Sequence, residues 1–140
     1  MNKRIFLYVV ALGVAAMYFW KAFTMPEAQN PEISDLTLEF PASQYPETAA
    51  HMKEAVAAGQ SQVCTIARKE EDVKREEALK DFPAKEGSER ADWPMAMCAE
   101  GGAGADVAYV TDADYRGANA WIEAKLENYP DGTRVEFVVK

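Results

Sequence analysis

The feature that most constrains this chain is the long apolar segment at its beginning. Lys3 and Arg4 precede a run from Ile5 to Trp20 that contains no charged side chain. If Lys21 directs its amine towards water, the run reaches about 21 residues, roughly 30 Å as a helix. That length matches the hydrocarbon core of a bilayer. The folded domain must therefore be built from the residues that follow.

Two interpretations of this segment remain open, an uncleaved membrane anchor and a cleaved secretion signal. A cleaved signal needs a small-x-small site just beyond a short apolar core, and residues 21–28 offer no convincing one. The aromatic residues at 18–20 suit a membrane interface, and the basic start favours a cytoplasmic N-terminus. We therefore favour an anchor over 1–25, a proline-rich linker over 26–34 and a domain over 35–140. The predicted location is the cell membrane, with a single pass and an extracytoplasmic domain, and secretion is the alternative.

Export changes how the two cysteines are interpreted. Cys64 and Cys98 each lie in an apolar stretch, and an oxidising compartment permits a disulfide between them. On the chain-entropy model, closing the loop between them stabilises the fold by about 3–4 kcal/mol. Two buried free thiols are the alternative. We favour the disulfide.

Composition and charge exclude several classes of protein. Apolar residues make up 49% of the chain and charged residues 27%, which indicates an ordered globular domain. Residues 27–140 carry 12 Lys and Arg against 23 Asp and Glu, a net charge of −11. This excludes a broadly basic nucleic-acid binder, because such binding needs many cations on one face. One histidine and two cysteines exclude histidine-rich zinc sites and zinc knuckles.

The pattern of apolar residues, prolines and glycines predicts an α+β domain, with a small, mostly antiparallel sheet and flanking helices. A polar loop is predicted over 84–92 and a glycine-rich turn over 101–104. Strands are predicted at 35–40, 63–67, 93–99, 106–110 and 134–139. Helices are predicted at 45–59, 68–81 and 116–128.

The predicted order after the loop is strand, strand and helix, and this order brings charged side chains together. The loop entering the first strand and the start of the helix should lie close to each other. Carboxylates beside an arginine suit a hydrated divalent cation and a phosphate group. On spacing alone, however, a solvated acidic loop is the better explanation of the same residues. The residues expected to converge are Glu89, Asp92, Asp114, Arg116 and Asn119.

Several short motifs resemble the NucA/NucB family of bacterial deoxyribonucleases, over a region from about Phe40 to Lys140. The two longest, WPMAMC and YPDGTRV, are specific enough to make chance a poor explanation. The N-terminal anchor resembles the DNA-entry branch more than the secreted branch. The motifs are YPET at 45–48, VCTI at 63–66, REE at 75–77, WPMAMC at 93–98, EGG at 100–102, RGA at 116–118 and YPDGTRV at 129–135.

The resemblance implies a small DNA endonuclease without sequence specificity, dependent on Mg²⁺ or Mn²⁺, with a ββα-metal-like core. A carboxylate is expected to replace the histidine base of related folds, so we expect a structural role for His51. The implied partners are DNA, the membrane, and an inhibitor or uptake-machinery protein. The residues expected to carry catalysis are Asp92, Glu89, Arg90, Arg116 and Glu77, with Arg75 beside Glu77, and the expected metal ligands are Asp92, Asp114 and Asn119.

Two departures from the family pattern suggest an alternative function. The family usually reads Asp-Arg-Asp-Glu-Trp-Pro where this chain has ERADWP at 89–94, and Asp-Asn-Arg-Gly where it has DYRG at 114–117. A catalytic group displaced by ~1 Å can cost 10²-fold in rate. Asn119 and Glu123 share a helical face with Tyr115 and are the candidates to replace a lost ligand, although ordinary surface positions explain them better. If they do not replace it, the chain is a catalytically degenerate relative that acts as a DNA- or protein-binding regulatory module.

Overall fold

The last strand of the chain lies at the centre of the larger sheet. The computed structural model describes residues 34–140, and the predicted anchor over 1–25 and most of the linker lie outside them. Strand β5 (Arg134–Val139) pairs in parallel with β1 (Leu36–Phe40) and antiparallel with β2 (Val63–Thr65). Val135 and Phe137 alternate with more exposed residues, so one face of β5 packs into the core. This sheet is mixed, but two of the three strand pairings in the described residues are antiparallel, in line with the mostly antiparallel pairing predicted from the sequence.

A second, two-stranded sheet carries three of the seven predicted site residues, Glu89, Arg90 and Asp92. Strands β3 (Ser88–Trp93) and β4 (Asp106–Thr111) form an antiparallel hairpin in which Asp92 lies opposite Val107. The predicted strand over 93–99 is wrong, because Pro94 lacks the N–H that a ladder needs and the chain turns there. Residues 88–92, predicted as a loop, form the strand instead. Their polar side chains are accommodated because this end of the hairpin is half exposed.

Three helices cover the two sheets. Helix α1 (Pro46–Ala57) begins with proline in its first turn, and α2 (Glu71–Leu79) follows a 3₁₀ turn over Arg68–Glu70. Helix α3 (Asp112–Leu126) begins earlier than the predicted Arg116, and two aspartates in its first turn favour the positive end of the helix dipole. β3, β4 and α3 therefore follow one another as the expected ββα unit. None of the helices between residues 34 and 140 is long and apolar enough to cross a membrane.

The core lies between the larger sheet, α1, α3 and the base of the hairpin. Trp93 packs edge-on against Phe137 with ring centroids 5.2 Å apart, and its indole N–H donates to the Ser61 carbonyl. His51 is buried in α1 and its Nε2 lies 2.9 Å from the Asp106 carboxylate on β4. The residue thus joins α1 to the hairpin, as a structural histidine would. The largest fully buried side chains include Phe40, Met52, Ile66, Leu126 and Val135.

The predicted disulfide is confirmed. Cys64 of β2 and Cys98 are bonded, with an Sγ–Sγ distance of 2.04 Å. Backbone hydrogen bonds reinforce the link, because Ala67 N–H donates to the Met97 carbonyl and Ala99 N–H to the Thr65 carbonyl. The segment after Pro94 is therefore fixed to the larger sheet.

Candidate active site

Asp92 is a buried carboxylate at the end of β3, with only 6% of the residue exposed. Its Oδ1 accepts a hydrogen bond from Arg75 Nη1 at 2.8 Å, and its Oδ2 accepts one from the Ala96 N–H at 2.9 Å. The second bond exists because the chain turns at Pro94 and returns the Ala96 amide to the strand end. Arg75 also donates to the Arg90 carbonyl at 3.1 Å, so its guanidinium is held at two points.

A small pocket of about 180 Å³ opens beside Asp92. Helix α2 contributes Glu71 and Arg75, which are one turn apart. Helix α3 contributes Ile122 and three polar residues at successive turns of one face. The floor is formed by the segment at 95–97 that follows the proline turn. The polar residues lining the pocket are Glu71, Arg75, Asp92, Tyr115, Asn119 and Glu123.

The surroundings of this pocket perturb three of its titratable groups. Burial raises the pKa of Asp92, and the charge of Arg75 only partly opposes this effect. The pKa of Glu71 is raised by burial and by the neighbouring carboxylates of Asp72 and Glu123. Burial also raises the pKa of Tyr115. The Asp92 carboxylate therefore accepts a proton more readily than a solvated aspartate does, and the nearby acids would be stabilised by a cation.

The donor set fits a hard divalent cation. Mg²⁺ and Mn²⁺ prefer carboxylate, amide and water oxygens, and Glu71, Glu123 and Asn119 supply the first two kinds at the rim of the pocket. In the described part of the chain, the one group of three His, Cys, Asp or Glu ligand atoms within 4.8 Å of one another is Cys64, Cys98 and Glu100, and its two sulfurs form the disulfide. The carboxylates of Glu71, Asp92 and Glu123 do not form such a close group. They fit a cation that keeps several of its waters, as Mg²⁺ usually does.

The structure separates the predicted site residues into two sets. Asp92 and Asn119 line the pocket, and Glu123 lies beside them. Arg116 does not line it: its side chain is 73% exposed and its guanidinium lies 4.0 Å from Glu89, outside the pocket. The expected meeting of Asp92 with Arg116 is therefore not what the structure shows. Arg75 is the arginine that contacts Asp92.

Two further predicted residues lie outside the pocket. Arg90 Nη1 donates to the Phe82 carbonyl at 2.7 Å, so this arginine faces the other side of α2. Glu77 is exposed on α2 and does not line the pocket. Helix geometry explains the difference from Arg75, because residues two positions apart in a helix point to opposite sides.

Asp114, predicted as a metal ligand, caps the N-terminus of α1. Its carboxylate accepts hydrogen bonds from the Glu47 N–H and the Thr48 N–H, each at 2.9 Å, and from the Thr48 hydroxyl at 2.6 Å. The reason is the early start of α3, which turns Asp114 towards α1 and its neighbour Tyr115 towards the pocket. Asp114 thus joins two helices and does not reach the Asp92 pocket.

The two departures from the family pattern have different structural consequences. Ala91 is 4% exposed and points to the opposite face of β3 from Asp92, so its lack of a carboxylate removes no group from the pocket. Tyr115 does line the pocket, and the Arg75 guanidinium lies 5.5 Å from the centre of its ring. The change at Tyr115 is therefore the one that alters the site.

Sequence reasoning missed Glu71 and the direct contact of Arg75 with Asp92. Both depend on the packing of α2 against the hairpin, which is not visible in the order of residues. One signal was available, since Glu71 and Arg75 are spaced by four residues and so share a helical face. The same spacing relates Tyr115, Asn119 and Glu123, and the structure brings these three to the pocket as their shared face predicted.

The ββα unit and its pocket define a site suited to a phosphate group, with an arginine, a buried carboxylate and oxygen donors for a cation. Comparison with known proteins agrees with this class. The chain is 45% identical over 141 residues to the DNA-entry nuclease of Bacillus subtilis (strain 168), in an alignment covering 99% of this chain and 96% of that protein. No family model matches the chain. At this identity and coverage, the chain belongs to the NucA/NucB family of bacterial deoxyribonucleases.

Proposed function

We propose that this protein is a metal-dependent DNA endonuclease that hydrolyses phosphodiester bonds without sequence specificity, at the pocket beside Asp92. The observation that carries the proposal is the environment of the Asp92 carboxylate. This group is buried, has a raised pKa and is held against Arg75 in a chain of a nuclease family. A pocket of about 180 Å³ accommodates a phosphate group and a hydrated cation but not a whole nucleotide.

Asp92 is the general base of the proposed reaction. A water molecule that attacks phosphorus must lose a proton, and a carboxylate whose pKa lies nearer to neutrality accepts that proton more effectively. The Ala96 N–H and Arg75 Nη1 hold the two carboxylate oxygens in place, so the base is oriented before the substrate arrives. Asp92 thereby combines a favourable pKa with a fixed geometry.

Arg75 stabilises the negative charge that develops on the phosphoryl oxygens. Its bonds to Asp92 and to the Arg90 carbonyl fix the guanidinium at the mouth of the pocket. A preoriented cation in a partly buried site stabilises a developing charge better than water does. From the sequence, the catalytic arginines were expected to be Arg90 and Arg116, and the position of Arg75 supports assigning this role to Arg75 instead.

Glu71, Glu123 and Asn119 would hold the divalent cation, Mg²⁺ or Mn²⁺. When bound, the cation supplies positive charge that polarises a phosphoryl oxygen. Binding would also relieve the repulsion that raises the pKa of Glu71. Asn119 was already among the metal ligands predicted from the sequence. Glu71 and Glu123 take the place of Asp114, which caps α1.

The cellular setting is also proposed, from the sequence and from the named relative. The similarity to a DNA-entry nuclease extends over 99% of the chain and so includes the N-terminal apolar segment. We place the domain outside the cytoplasmic membrane, tethered by residues 1–25, where it processes DNA during uptake. An inhibitor or an uptake-machinery protein would be its partner, and secretion is the alternative to tethering.

The test is nicking of a supercoiled plasmid by the full chain with Mg²⁺, with Mn²⁺ and with EDTA. Nicking should require the cation. Glu123→Gln should raise the cation concentration for half-maximal activity by at least about tenfold, because supporting ligands of a metal typically contribute 10–100-fold. The matched control is Glu127→Gln, an exposed glutamate one turn further along the chain. Equal activity in EDTA, or equal cation dependence for the two variants, would contradict the proposal.

A second function is favoured by one observation, the aromatic residue at 115 where the family usually has asparagine. If Tyr115 prevents cation binding, the chain is the regulatory DNA- or protein-binding module considered from the sequence. The same assay separates the two functions. A folded chain that binds DNA but nicks it with neither cation, and that gains nicking through Tyr115→Asn, would be the degenerate relative.

A further inference from the structure

A second cleft adjoins the Asp92 pocket on the other side of α2. Its volume is about 710 Å³, against about 180 Å³ for the pocket. Arg75 lines both, so the side chain that contacts Asp92 lies between the two spaces. The cleft lies between α2, the segment at 79–83 and the outward face of β3 at Arg90. Nothing in the proposed reaction uses it.

The volumes of the two spaces indicate that they bind different parts of the substrate. Sites for small organic ligands usually have volumes of about 300–1,000 Å³, and the Asp92 pocket falls below that range. A DNA strand cut there must place the nucleotide next to the scissile phosphate elsewhere on the surface. The cleft is large enough for a nucleotide, and it is lined by Arg75, the residue that contacts Asp92.

The outer wall of the cleft is fixed by hydrogen bonds from the hairpin. Arg90 Nη1 donates to the Phe82 carbonyl and the Tyr109 hydroxyl donates to the Pro83 carbonyl, each at 2.7 Å. The Phe82 N–H donates back to the Leu79 carbonyl at 2.9 Å. The half-buried Phe82 ring is therefore presented by an anchored turn. Aromatic rings in such positions are the usual platforms for unstacked bases.

The charge of the cleft is opposite in sign to that of the domain. Residues 34–140 carry 12 Lys and Arg against 21 Asp and Glu. The charged residues of the cleft are Arg75, Lys80 and Arg90 against Asp72 and Glu76, a net charge of +1. A polyanion is thus attracted to this cleft more than to the acidic surface around it.

We propose that the cleft binds the nucleotide that flanks the scissile phosphate, with its base against Phe82 and its outer phosphate beside Lys80. The inference rests on the proposed nuclease function and deepens it. Because a base can reach Phe82 only after leaving its stack, the cleft selects a single-stranded or frayed strand. Duplex DNA should bind less tightly than a single strand of the same length.

The test is binding of a fluorescently labelled, single-stranded oligothymidylate to the full chain in EDTA, measured by anisotropy. Phe82→Leu should weaken binding at least about fivefold, near the lower limit for base–aromatic stacking, whereas Phe82→Trp should preserve it. The matched control for Phe82→Leu is Tyr129→Leu, which removes an exposed aromatic ring elsewhere. A circular dichroism melt shows whether each variant is folded.

The charges give a second, independent measurement. Lys80→Ala should reduce the slope of log Kd against log salt concentration by about 0.7, the value for one phosphate contact on a single strand. Lys69→Ala, an exposed lysine on the 3₁₀ turn, is its control. Asp72→Asn should tighten binding because it removes a carboxylate from the cleft.

These outcomes separate the cleft from the catalytic proposal. If the unmodified chain cuts DNA but the Phe82 and Lys80 variants bind like their controls, the cleft inference is wrong and the nuclease function stands. If the variants weaken binding while the unmodified chain cuts DNA with neither cation, binding in the cleft stands and the nuclease function fails. No detectable binding by the unmodified chain would also overturn the inference.

Discussion

Two buried aspartates of the same ββα unit have nearly equal exposure, 6% for Asp92 and 8% for Asp114, and very different surroundings. Asp114 accepts three hydrogen bonds from the first turn of α1, which is a favourable place for an anion. Asp92 accepts one bond from an amide and one from Arg75, and it borders a cavity. Burial raises its pKa. A buried carboxylate is therefore structural when its donors surround it and available for chemistry when part of it still faces a solvent-filled space.

The largest expected effect concerns Asp92. Asp92→Asn keeps the shape of the side chain and removes the base, so kcat/KM for plasmid nicking should fall about 10²–10⁴-fold. The circular dichroism spectrum should remain that of the unmodified chain. Asp114→Asn should be tested at an equal concentration of folded protein. If it reduced kcat/KM as much as Asp92→Asn does, the distinction between a catalytic Asp92 and a structural Asp114 would be wrong.

The next effect concerns the disulfide that fixes the loop on the Asp92 side of the unit. Replacing Cys64 and Cys98 together by alanine should lower the free energy of unfolding by about 3–4 kcal/mol in urea denaturation. Hydrogen exchange should increase most at Ala96, whose N–H donates to Asp92, and least at Thr48, whose N–H donates to Asp114. Equal increases at both amides would mean that the two sides of the unit are not independent.

Removing the cap tests the structural role of Asp114. Asp114→Ala leaves the Glu47 and Thr48 amides without their acceptor, so the free energy of unfolding should fall by about 1–3 kcal/mol. Thr48→Val removes the hydroxyl bond alone and should cost less. Activity per folded molecule should not change in either variant. A loss of activity per folded molecule in Asp114→Ala would show that Asp114 takes part in catalysis and is not only structural.

The smallest effect is a displacement of the pH profile. Asp92 must be ionised to act as a base, so activity should fall as the pH decreases through its raised pKa. The positive charge of Arg75 opposes that rise, and Arg75→Met therefore raises the pKa further. The acid limb of log kcat/KM against pH should move to higher pH in Arg75→Met. If the acid limb does not move, or moves to lower pH, a group other than Asp92 controls the loss of activity at low pH.

Much of the fold follows from local patterns in the sequence. The alternation at 36–40 and 134–139 and the proline start of α1 predicted those elements close to their observed bounds. The failure at 93–99 has a physical cause, because an apolar run indicates burial but not the hydrogen bonding of its backbone. Met97 and Cys98 are buried in a loop that a disulfide holds, not in a strand.

The site was predicted less completely than the fold. Asp92 and Asn119, both expected at the site, line the same pocket, but the partner of Asp92 was expected to be Arg116 and is Arg75. Which arginine reaches a carboxylate depends on how a helix is rotated against a sheet. A start of α3 at Asp112 instead of Arg116 changes what each side chain of its first turns faces. Local propensity does not fix helix ends that accurately.

The central position of β5 has a consequence for the order of events in biosynthesis. Strands β1 and β2 both hydrogen-bond to β5, and neither pairs with the other. At a synthesis rate of 5–20 residues per second, β1 must wait roughly 5–20 s after its own translation for its partner to emerge. During that interval the larger sheet does not exist, so the domain completes its fold only after its last strand has been synthesised.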